Sequence, residues 1–433
     1  MNVQMYLTRF IKMLFIKVEG NLATLFWNLI LFGFLVLPFG ALSTPFILLS
    51  MAIGIIHFFY KKQSKSIRIN WFFLSFPALF LTMFISLYYS YDLHTGKNLL
   101  VRSLPIFFFP LLISSQHFQW RIMFKILNGL LIGTLLSFCC NLAFALYRSI
   151  QITKGQFFFD SSIKGQLTLK ESIIDGGNYF IGGEFSSFIH PSYISLYVLI
   201  AIIYLAFKVH SLKIKVISIA FLIIYLFLLS SKAALLMLPM IGVLSFIGKV
   251  KSLNFKIKLL LMVMVPTVIF LLIVLNPRVI VGYNRLKNLE SESNFKYTTS
   301  SVSRILSWKA SIDLIKKAPL LGYGVGDANE ELLIYYLNND YFTNADNRYN
   351  AHNQYLQTLL QVGFIGFTFL VIPFVGVFKR RVGFFDLSII LVLLISLFFE
   401  SMLIRYHGIV FYAIMIPLLL KYTNPKPKGS IQN

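Results

Sequence analysis

The chain has 433 residues, of which 57% are hydrophobic and only 13% are charged, and its formal net charge at pH 7 is +23. Soluble domains carry about 25% charged residues, so this composition excludes a soluble globular protein. Many apolar runs approach the roughly 20 residues that cross a bilayer as a helix. The sequence therefore predicts an all-α polytopic membrane protein.

Twelve apolar segments are predicted to be membrane-spanning helices. In chain order they lie near residues 21–38, 42–60, 70–89, 99–116, 122–147, 185–207, 213–229, 233–248, 259–275, 353–377, 384–399 and 408–420. Most of the connections between them are short enough to form tight hairpins.

The distribution of lysine and arginine predicts the orientation of these helices. If the N-terminus is cytoplasmic and the spans alternate, the inner connections and tails hold 22 of the 39 basic residues. Only two of the 16 acidic residues, Glu19 and Asp386, lie on that side. Such a bias is the positive-inside rule, so both termini are predicted to be cytoplasmic. The basic excess is then explained by topology, without nucleic-acid binding.

Two outer loops are longer than the other connections, one near 148–184 and one near 276–352. They divide the chain into a first part, 1–275, with nine helices, a large periplasmic loop, 276–352, and a last part, 353–433. The last part holds the remaining three helices and a cytoplasmic tail.

An amphipathic helix is predicted inside the larger loop, where apolar residues recur at near-helical spacing with lysines between them. These apolar residues are Val302, Ile305, Leu306, Ile312, Leu314 and Ile315. The helix is expected to lie at the outer membrane–water interface. A second short helix is predicted at 330–339.

His352 is a candidate catalytic residue because it directly precedes the tenth predicted span, at a helix N-terminus on the outer side. The helix dipole disfavours imidazolium at this position, and a neutral imidazole can take a proton from an attacking hydroxyl. The alternative is that His352 and Asn353 only cap the helix, and the sequence alone ranks the two about equally. Gly363 and Gly366 follow in the same span and are interpreted as packing positions.

Several other outer residues could bind an anion. Arg304 and Trp308 share one face of the amphipathic helix, and arginine can fork onto phosphate oxygens. Lys232 follows two serines at the outer end of the seventh span, where a cation is a functional candidate. Gly324 belongs to a glycine-rich turn that could cradle phosphate through its N–H groups. The ordinary alternatives are a headgroup contact, a snorkelling lysine and a sharp chain reversal.

Two further groups lie near the predicted outer ends of spans. His190 precedes Pro191 early in the sixth span and is either structural or part of a second site. Arg405 and Glu400 lie in the short outer loop before the last span and are close enough in sequence to pair with each other.

Motifs that are missing from the sequence also restrict the function. No D-x-D pair is present, which removes the metal–nucleotide site of many soluble glycosyltransferases, and no Walker motif is present. The two cysteines, Cys139 and Cys140, are adjacent and cannot frame a zinc site. An enzyme with this sequence is expected to act on the outer side without nucleotide, metal or other cofactor.

The outer residues resemble those of the O-antigen ligase / O-antigen polymerase superfamily of bacterial membranes. The residues that carry the resemblance are Arg304, Trp308, the run Pro319–Gly326, the run Ala351–Leu356 with His352, Asn353 and Tyr355, and the glycines Gly363 and Gly366. The predicted layout, with cytoplasmic termini and a large periplasmic loop before the tenth span, is similar too. The resemblance is strongest from about 230 to 370.

The resemblance implies an inverting, metal-independent glycosyl transfer of the membrane-embedded GT-C type, in the bacterial inner membrane. The implied donor is a glycan on undecaprenyl diphosphate, and in ligases the acceptor is a hydroxyl of the lipid A–core. By position, His352 corresponds to the base or positioner of the acceptor hydroxyl, and Arg304 to the residue that holds the donor diphosphate. Lys232 stands where the family usually has an arginine, which keeps the charge but loses the bidentate fork. The remaining candidates are expected to support the site, and they are Trp308, Gly324, Asn353, Tyr355, His190 and Arg405.

Three alternatives remain at the level of sequence. A polymerase of the same superfamily joins two lipid-linked repeat units, and a protein O-oligosaccharyltransferase uses a serine or threonine acceptor. A sugar-lipid transporter is less favoured, because its usual signature is broken helices in matched halves with polar residues at mid-membrane. The polar clusters of this chain lie at the outer ends of the spans.

Overall fold

A computed structural model of the chain describes residues 15–62, 70–116, 118–153, 156–165, 167–168, 171–172, 177–249, 300–379 and 382–422. The helices up to residue 249 are α1 (Asn21–Val36), α2 (Thr44–Lys62), α3 (Ser75–Ser86), α4 (Leu93–Ser115), α5 (Trp120–Ser149), α6 (Pro191–Lys208), α7 (Leu212–Leu229) and α8 (Lys232–Lys249). The helices from residue 300 onward are α9 (Ser300–Lys317), α10 (Ala328–Asn338), α11 (Phe342–Asp346), α12 (Gln354–Phe378), α13 (Phe384–Phe399) and α14 (Tyr406–Tyr422). An antiparallel hairpin of β1 (Ile150–Thr153) and β2 (Gln156–Phe159) follows α5.

Seven helical segments of the described chain are long and apolar enough to cross a membrane. They are Asn21–Tyr60, Trp71–Tyr89, Leu93–Ser115, Trp120–Ser149, Pro191–Lys208, Leu212–Leu229 and Gln354–Phe378. Three shorter apolar helices are Lys232–Ile247, Phe384–Phe399 and Tyr406–Tyr422.

The predicted all-α polytopic class is confirmed, but the predicted count of twelve spans is not. The first two predicted spans form one 40-residue segment, which bends at Gly40, where φ is +70°. The predicted ninth span, 259–275, lies outside the described residues.

The centre of the bundle is α14, whose residues are all buried from Gly408 to Leu420. A helix that is apolar all round is typical of such a central position. It packs closely against α4, while α1 packs against α2 and α5, and α12 packs against α3. The start of α14 and the end of α13 therefore lie at one end of a well-packed core. We call this the outer end, after the orientation predicted from the sequence, which remains a prediction.

A small outer subdomain, formed by α9, α10 and α11, packs on the first half of α12. Its own apolar core consists of Val302, Leu306, Ala310, Leu314, Ile315, Ala328, Leu332, Tyr336, Tyr341, Ala345, Ala351 and Leu360. Both helices predicted within the larger loop are present, as α9 and α10. Part of the apolar face of α9 is turned into this core, whereas Ile305 and Ile312 are exposed. The position of α9 at the membrane interface remains a prediction. Residues 276–299 of the larger loop lie outside the described part of the chain.

The helix α12 is broken near its middle, and a turn from the outer subdomain fills the break. Gly363 has a φ of +60°, which interrupts the helical ladder and leaves carbonyl groups without their usual partners. Tyr323 N–H donates to Leu360 O at 2.7 Å, and Gly324 N–H donates to Gln361 O at 3.0 Å. The turn therefore satisfies the carbonyl groups that the break exposes.

Alanine at Gly363 is expected to destabilise the protein by about 3 kcal/mol or more, since it adds both an unfavourable left-handed φ and an overpacked Cβ. A Cβ at this position would lie 2.1 Å from Leu320 O, a backbone atom that cannot move aside easily. The matched control is Gly183→Ala, because a Cβ there meets no atom within 4 Å. Thermal unfolding of the detergent-solubilised variants measures the difference. Equal unfolding temperatures for the two variants would contradict this account of the break.

Candidate active site

Three elements bring one buried carboxylate and two basic side chains together at the outer end of the bundle. Glu400, directly after α13, places Oε1 3.1 Å from Nδ1 of His352 and Oε2 3.3 Å from Nη2 of Arg304. Arg304 also donates from Nη1 to the carbonyl oxygen of Phe399 at 2.5 Å. These residues are far apart in sequence, so the cluster exists only in the folded chain. We call Arg304, His352 and Glu400 the outer cluster.

The backbone around His352 is held in an unusual conformation. His352 has a left-handed φ of +46°, and its N–H donates to Oδ1 of Asn350 at 2.8 Å. The preceding residue, Ala351, donates to Oε1 of the buried Gln357 at 3.1 Å. Asn353 caps α12, with its Oδ1 accepting two backbone N–H groups. Of the two residues considered as caps, Asn353 performs that role, and the ring of His352 is left to contact Glu400.

The contact with Glu400 assigns a tautomer to His352. An ionised carboxylate only accepts hydrogen bonds, so Nδ1 of the imidazole carries the hydrogen that points at Oε1. In the neutral ring the other nitrogen, Nε2, then has the lone pair. A carboxylate that fixes a histidine in this way also stabilises the imidazolium that forms when Nε2 takes a proton.

Glu400 is held in its ionised form by its surroundings. Burial raises the pKa of this carboxyl, but the hydrogen bond from His352 and the charges of His352, Arg304 and His190 outweigh burial and lower the pKa to about 2. Ser401 N–H also donates to Oε1 at 3.2 Å. At neutral pH the outer cluster therefore contains a full negative charge between two basic groups.

His190 lies near this carboxylate without forming one of its ion pairs. His190 caps α6, accepting at Nδ1 from the N–H of Ser192 at 3.4 Å, and Ser192 donates from Oγ to Oε2 of Glu400 at 3.4 Å. Arg405 is close enough in sequence to pair with Glu400, but within the described chain the ion pairs of Glu400 are with Arg304 and His352. Arg405 is instead exposed at the start of α14.

Lys232 lies at the same outer end as the outer cluster. It is the first residue of α8, after a left-handed Ser230, and α8 packs against α13. Ser396 contacts Met237 Sδ at 4.0 Å. Since Met237 is five residues after Lys232 and Ser396 is four residues before Glu400, the two helix ends are nearly level.

Trp308 and Tyr355 support the end of α13 from two sides. The Trp308 ring lies against Phe398 with 5.1 Å between centroids. The hydroxyl of Tyr355 donates to the carbonyl oxygen of Leu394 at 2.9 Å. Both contacts fix the helix that carries Glu400, which is a positioning role.

The glycine-rich turn has little hydrogen-bonding capacity left for an anion. In addition to the bond from Gly324, Val325 N–H donates to Oγ of Ser86 at 3.1 Å and Gly326 N–H donates to Oγ of Ser90 at 3.4 Å. A Cβ at Gly324 would lie 2.2 Å from the Ser90 hydroxyl. Of the two interpretations of this turn, the contacts favour chain reversal and close packing.

Sequence reasoning missed the part played by Glu400 and by two buried glutamines. Gln354, in the first turn of α12, accepts from Leu403 N–H at 2.7 Å, and this bond ties α12 to the loop that carries Glu400. Gln357 holds Ala351 as described above. The sequence signal that could have identified these three residues is their polar character at the outer ends of otherwise apolar spans.

Within the described chain there is no group of three or more His, Cys, Asp or Glu side chains that could hold a metal ion.

A comparison with known protein families found a match to the middle of the chain. Residues 217–371 match the family model described as O-Antigen ligase. This segment is similar to the O-antigen ligase superfamily. The matched segment covers about a third of the chain and includes Lys232, Arg304 and His352, whereas Glu400 lies outside it. The comparison with curated proteins found no match.

Proposed function

We propose that this O-antigen ligase-like chain transfers a glycan from undecaprenyl diphosphate to a hydroxyl acceptor, the lipid A–core, on the periplasmic face of the bacterial inner membrane. The observation that carries the proposal is the outer cluster, in which a buried carboxylate orients a histidine beside an arginine. The three groups have the types that hydroxyl activation and diphosphate release require. Both termini are proposed to be cytoplasmic.

In the proposed reaction the acceptor hydroxyl attacks the anomeric carbon of the donor with inversion. The new glycosidic C–O bond forms as the C–O bond to the diphosphate breaks, and Nε2 of His352 takes the hydroxyl proton. Glu400 stabilises the imidazolium through Nδ1. No metal is required, because the leaving group can be neutralised by side chains.

Arg304 and Lys232 are proposed to neutralise the diphosphate, whose charge grows in the transition state. The Arg304 side chain is 31% exposed, and a guanidinium has five N–H donors, of which Glu400 and Phe399 engage two. Lys232 would add a point charge without the arginine fork. Glu400 thus couples the two halves of the site, since it contacts both the proposed base and the proposed diphosphate-binding residue.

Two related reactions would use the same chemistry with another acceptor. In a polymerase the acceptor is a second lipid-linked repeat unit, and in a protein O-oligosaccharyltransferase it is a serine or threonine. A sugar-lipid transporter is less well supported, because it has no need for a carboxylate-oriented histidine.

The test is complementation of a strain that lacks this chain, with lipopolysaccharide and lipid-linked glycan resolved by gel. We expect the empty strain to lose long-chain lipopolysaccharide and to accumulate polymerised lipid-linked chains, and the wild-type chain to reverse both. Lipopolysaccharide capped by a single repeat unit would instead indicate a polymerase. Loss of glycoprotein would indicate a protein acceptor. No change in any of these products would contradict glycosyl transfer.

A further inference from the structure

The surroundings of α4 change abruptly after Arg102. Seven of the ten residues from Leu93 to Arg102 are exposed, whereas none of the fourteen residues from Ser103 to Gln116 is exposed. The exposed end is the outer one, because the loop before α4 binds the outer subdomain through Asp327. The outer part of α4, from Leu93 to Arg102, therefore presents an exposed surface, whereas its inner part is enclosed by the bundle.

The open part of α4 is rich in basic and polar side chains. His94, Asn98 and Arg102 are spaced four residues apart and share one face, and Lys97 is exposed beside them. The amide of Asn98 lies 3.4 Å from the ring nitrogens of His94. The acid nearest in sequence, Asp92, caps the helix by accepting from Thr95 N–H. The face therefore has a net positive charge, and the ion pairs formed within the described chain do not include it.

The depth of these cations in the bilayer points to their partner. From Ser115 outward, the roughly 30 Å of hydrocarbon corresponds to about 20 helical residues, which places its outer boundary close to Lys97. Arg102 is then about 8 Å deeper, where an isolated guanidinium is expensive. Lipid headgroup phosphates are the anions at this boundary, and an arginine can reach them through its flexible stem.

We propose that the exposed outer part of α4 binds the phosphate of an anionic lipid in the outer leaflet. Lys97 and Arg102 supply the charge, and His94 and Asn98 supply hydrogen bonds. The lipid is either a bilayer phospholipid or a phosphorylated glycolipid that presents the acceptor hydroxyl. Only the second source rests on the proposed function.

The exposed part of α4 lies on a different flank of the bundle from Lys232, one of the proposed diphosphate-binding residues. The helix α4 packs against α2, α3 and α14, whereas α8, which begins at Lys232, packs against α6 and α13. Two lipids could therefore approach the outer cluster from different sides, as a reaction between two lipid-borne substrates requires.

A short path of hydrogen bonds and backbone connects the exposed part of α4 to the proposed base. Asp327 accepts from two backbone amides at the start of α4, and it directly precedes α10. In the first turn of α10, Asn329 accepts from Gln357 at 3.0 Å. Gln357 in turn holds Ala351 beside His352. A lipid bound to the exposed part of α4 would thus lie next to the structure that positions His352.

The test measures lipid binding to the purified full-length protein by native mass spectrometry. The probes are phosphatidylglycerol, bisphosphorylated lipid A and a phosphate-free galactosyl diacylglycerol. The variant is Lys97→Gln combined with Arg102→Gln, and the matched control is Lys309→Gln, an exposed cation on α9. We expect the double variant to bind the phosphate-bearing probes about thirtyfold more weakly, as the loss of two basic residues near a lipid surface implies.

The pattern across the probes identifies the lipid. Weaker binding of both phosphate-bearing probes supports a general headgroup site, and weaker binding of lipid A alone supports a site for the acceptor. Unchanged binding of both, or an equal loss in Lys309→Gln or for the phosphate-free lipid, would overturn the proposal. If the double variant does not fold, Lys97→Gln alone replaces it, with an expected loss of about fivefold. The readout needs no glycosyl transfer, so it stands or fails separately from the proposed function.

Discussion

Alanine in place of His352 is expected to abolish detectable glycan transfer while leaving the amount of membrane protein unchanged. A positioned general base contributes about 10²- to 10⁴-fold to a rate, and no other group of the outer cluster can accept the hydroxyl proton at neutral pH. A guanidinium has only hydrogen-bond donors, and the low pKa of Glu400 makes it a poor base. The measurement is long-chain lipopolysaccharide in the complemented strain, normalised to protein by immunoblot.

Two further variants distinguish the loss of proton transfer from a non-specific effect of replacing a histidine. His352→Gln can still hydrogen-bond to Glu400 but cannot take the proton, so it is expected to be as inactive as the alanine variant. His210→Ala removes an exposed histidine between α6 and α7 and is expected to be fully active. Normal transfer by His352→Gln would show that His352 only positions the acceptor.

Glutamine in place of Glu400 is expected to lower the transfer rate by up to about 10⁴-fold, as when the carboxylate of a catalytic triad is replaced by an amide. The amide can donate to Nδ1 of His352 and so favours the tautomer with hydrogen on Nε2, which cannot accept a proton. Arg304 loses its ion-pair partner at the same time. The matched control is Glu330→Gln, an exposed acid in the first turn of α10.

The same substitution is expected to change how stability depends on pH. The pKa of Glu400 is lowered from its ordinary value of 4.5 to about 2, so the ionised group stabilises the fold above about pH 4.5. This contribution is lost as the pH falls towards 2, and Glu400→Gln should lack it. Thermal unfolding between pH 6 and pH 3 measures the difference, and identical pH profiles would contradict the ion pairs described here.

The sequence predicted those features that depend on local patterns. Apolar length located the helices, and the helix-start pattern placed Asn353 as a cap and His352 beside it. Contacts between residues that are far apart in the sequence leave no local pattern of this kind. The sequence offered Arg405 as a partner for Glu400 because the two are close in sequence, whereas its partners, Arg304 and His352, are 96 and 48 residues away. The break in α12 was likewise hidden, since Gly363 is equally compatible with close packing of a neighbouring helix.

The filled break in α12 limits how the outer subdomain can be exchanged between proteins. In lipid, carbonyl groups without partners cost several kcal/mol each, so α12 needs the turn at Tyr323 and Gly324 to remain in its bent form. A chimaera that replaces only the outer loop would combine a turn from one protein with a broken helix from another. Grafts intended to alter acceptor choice should therefore transfer the turn together with the helix through Gly363, as one block.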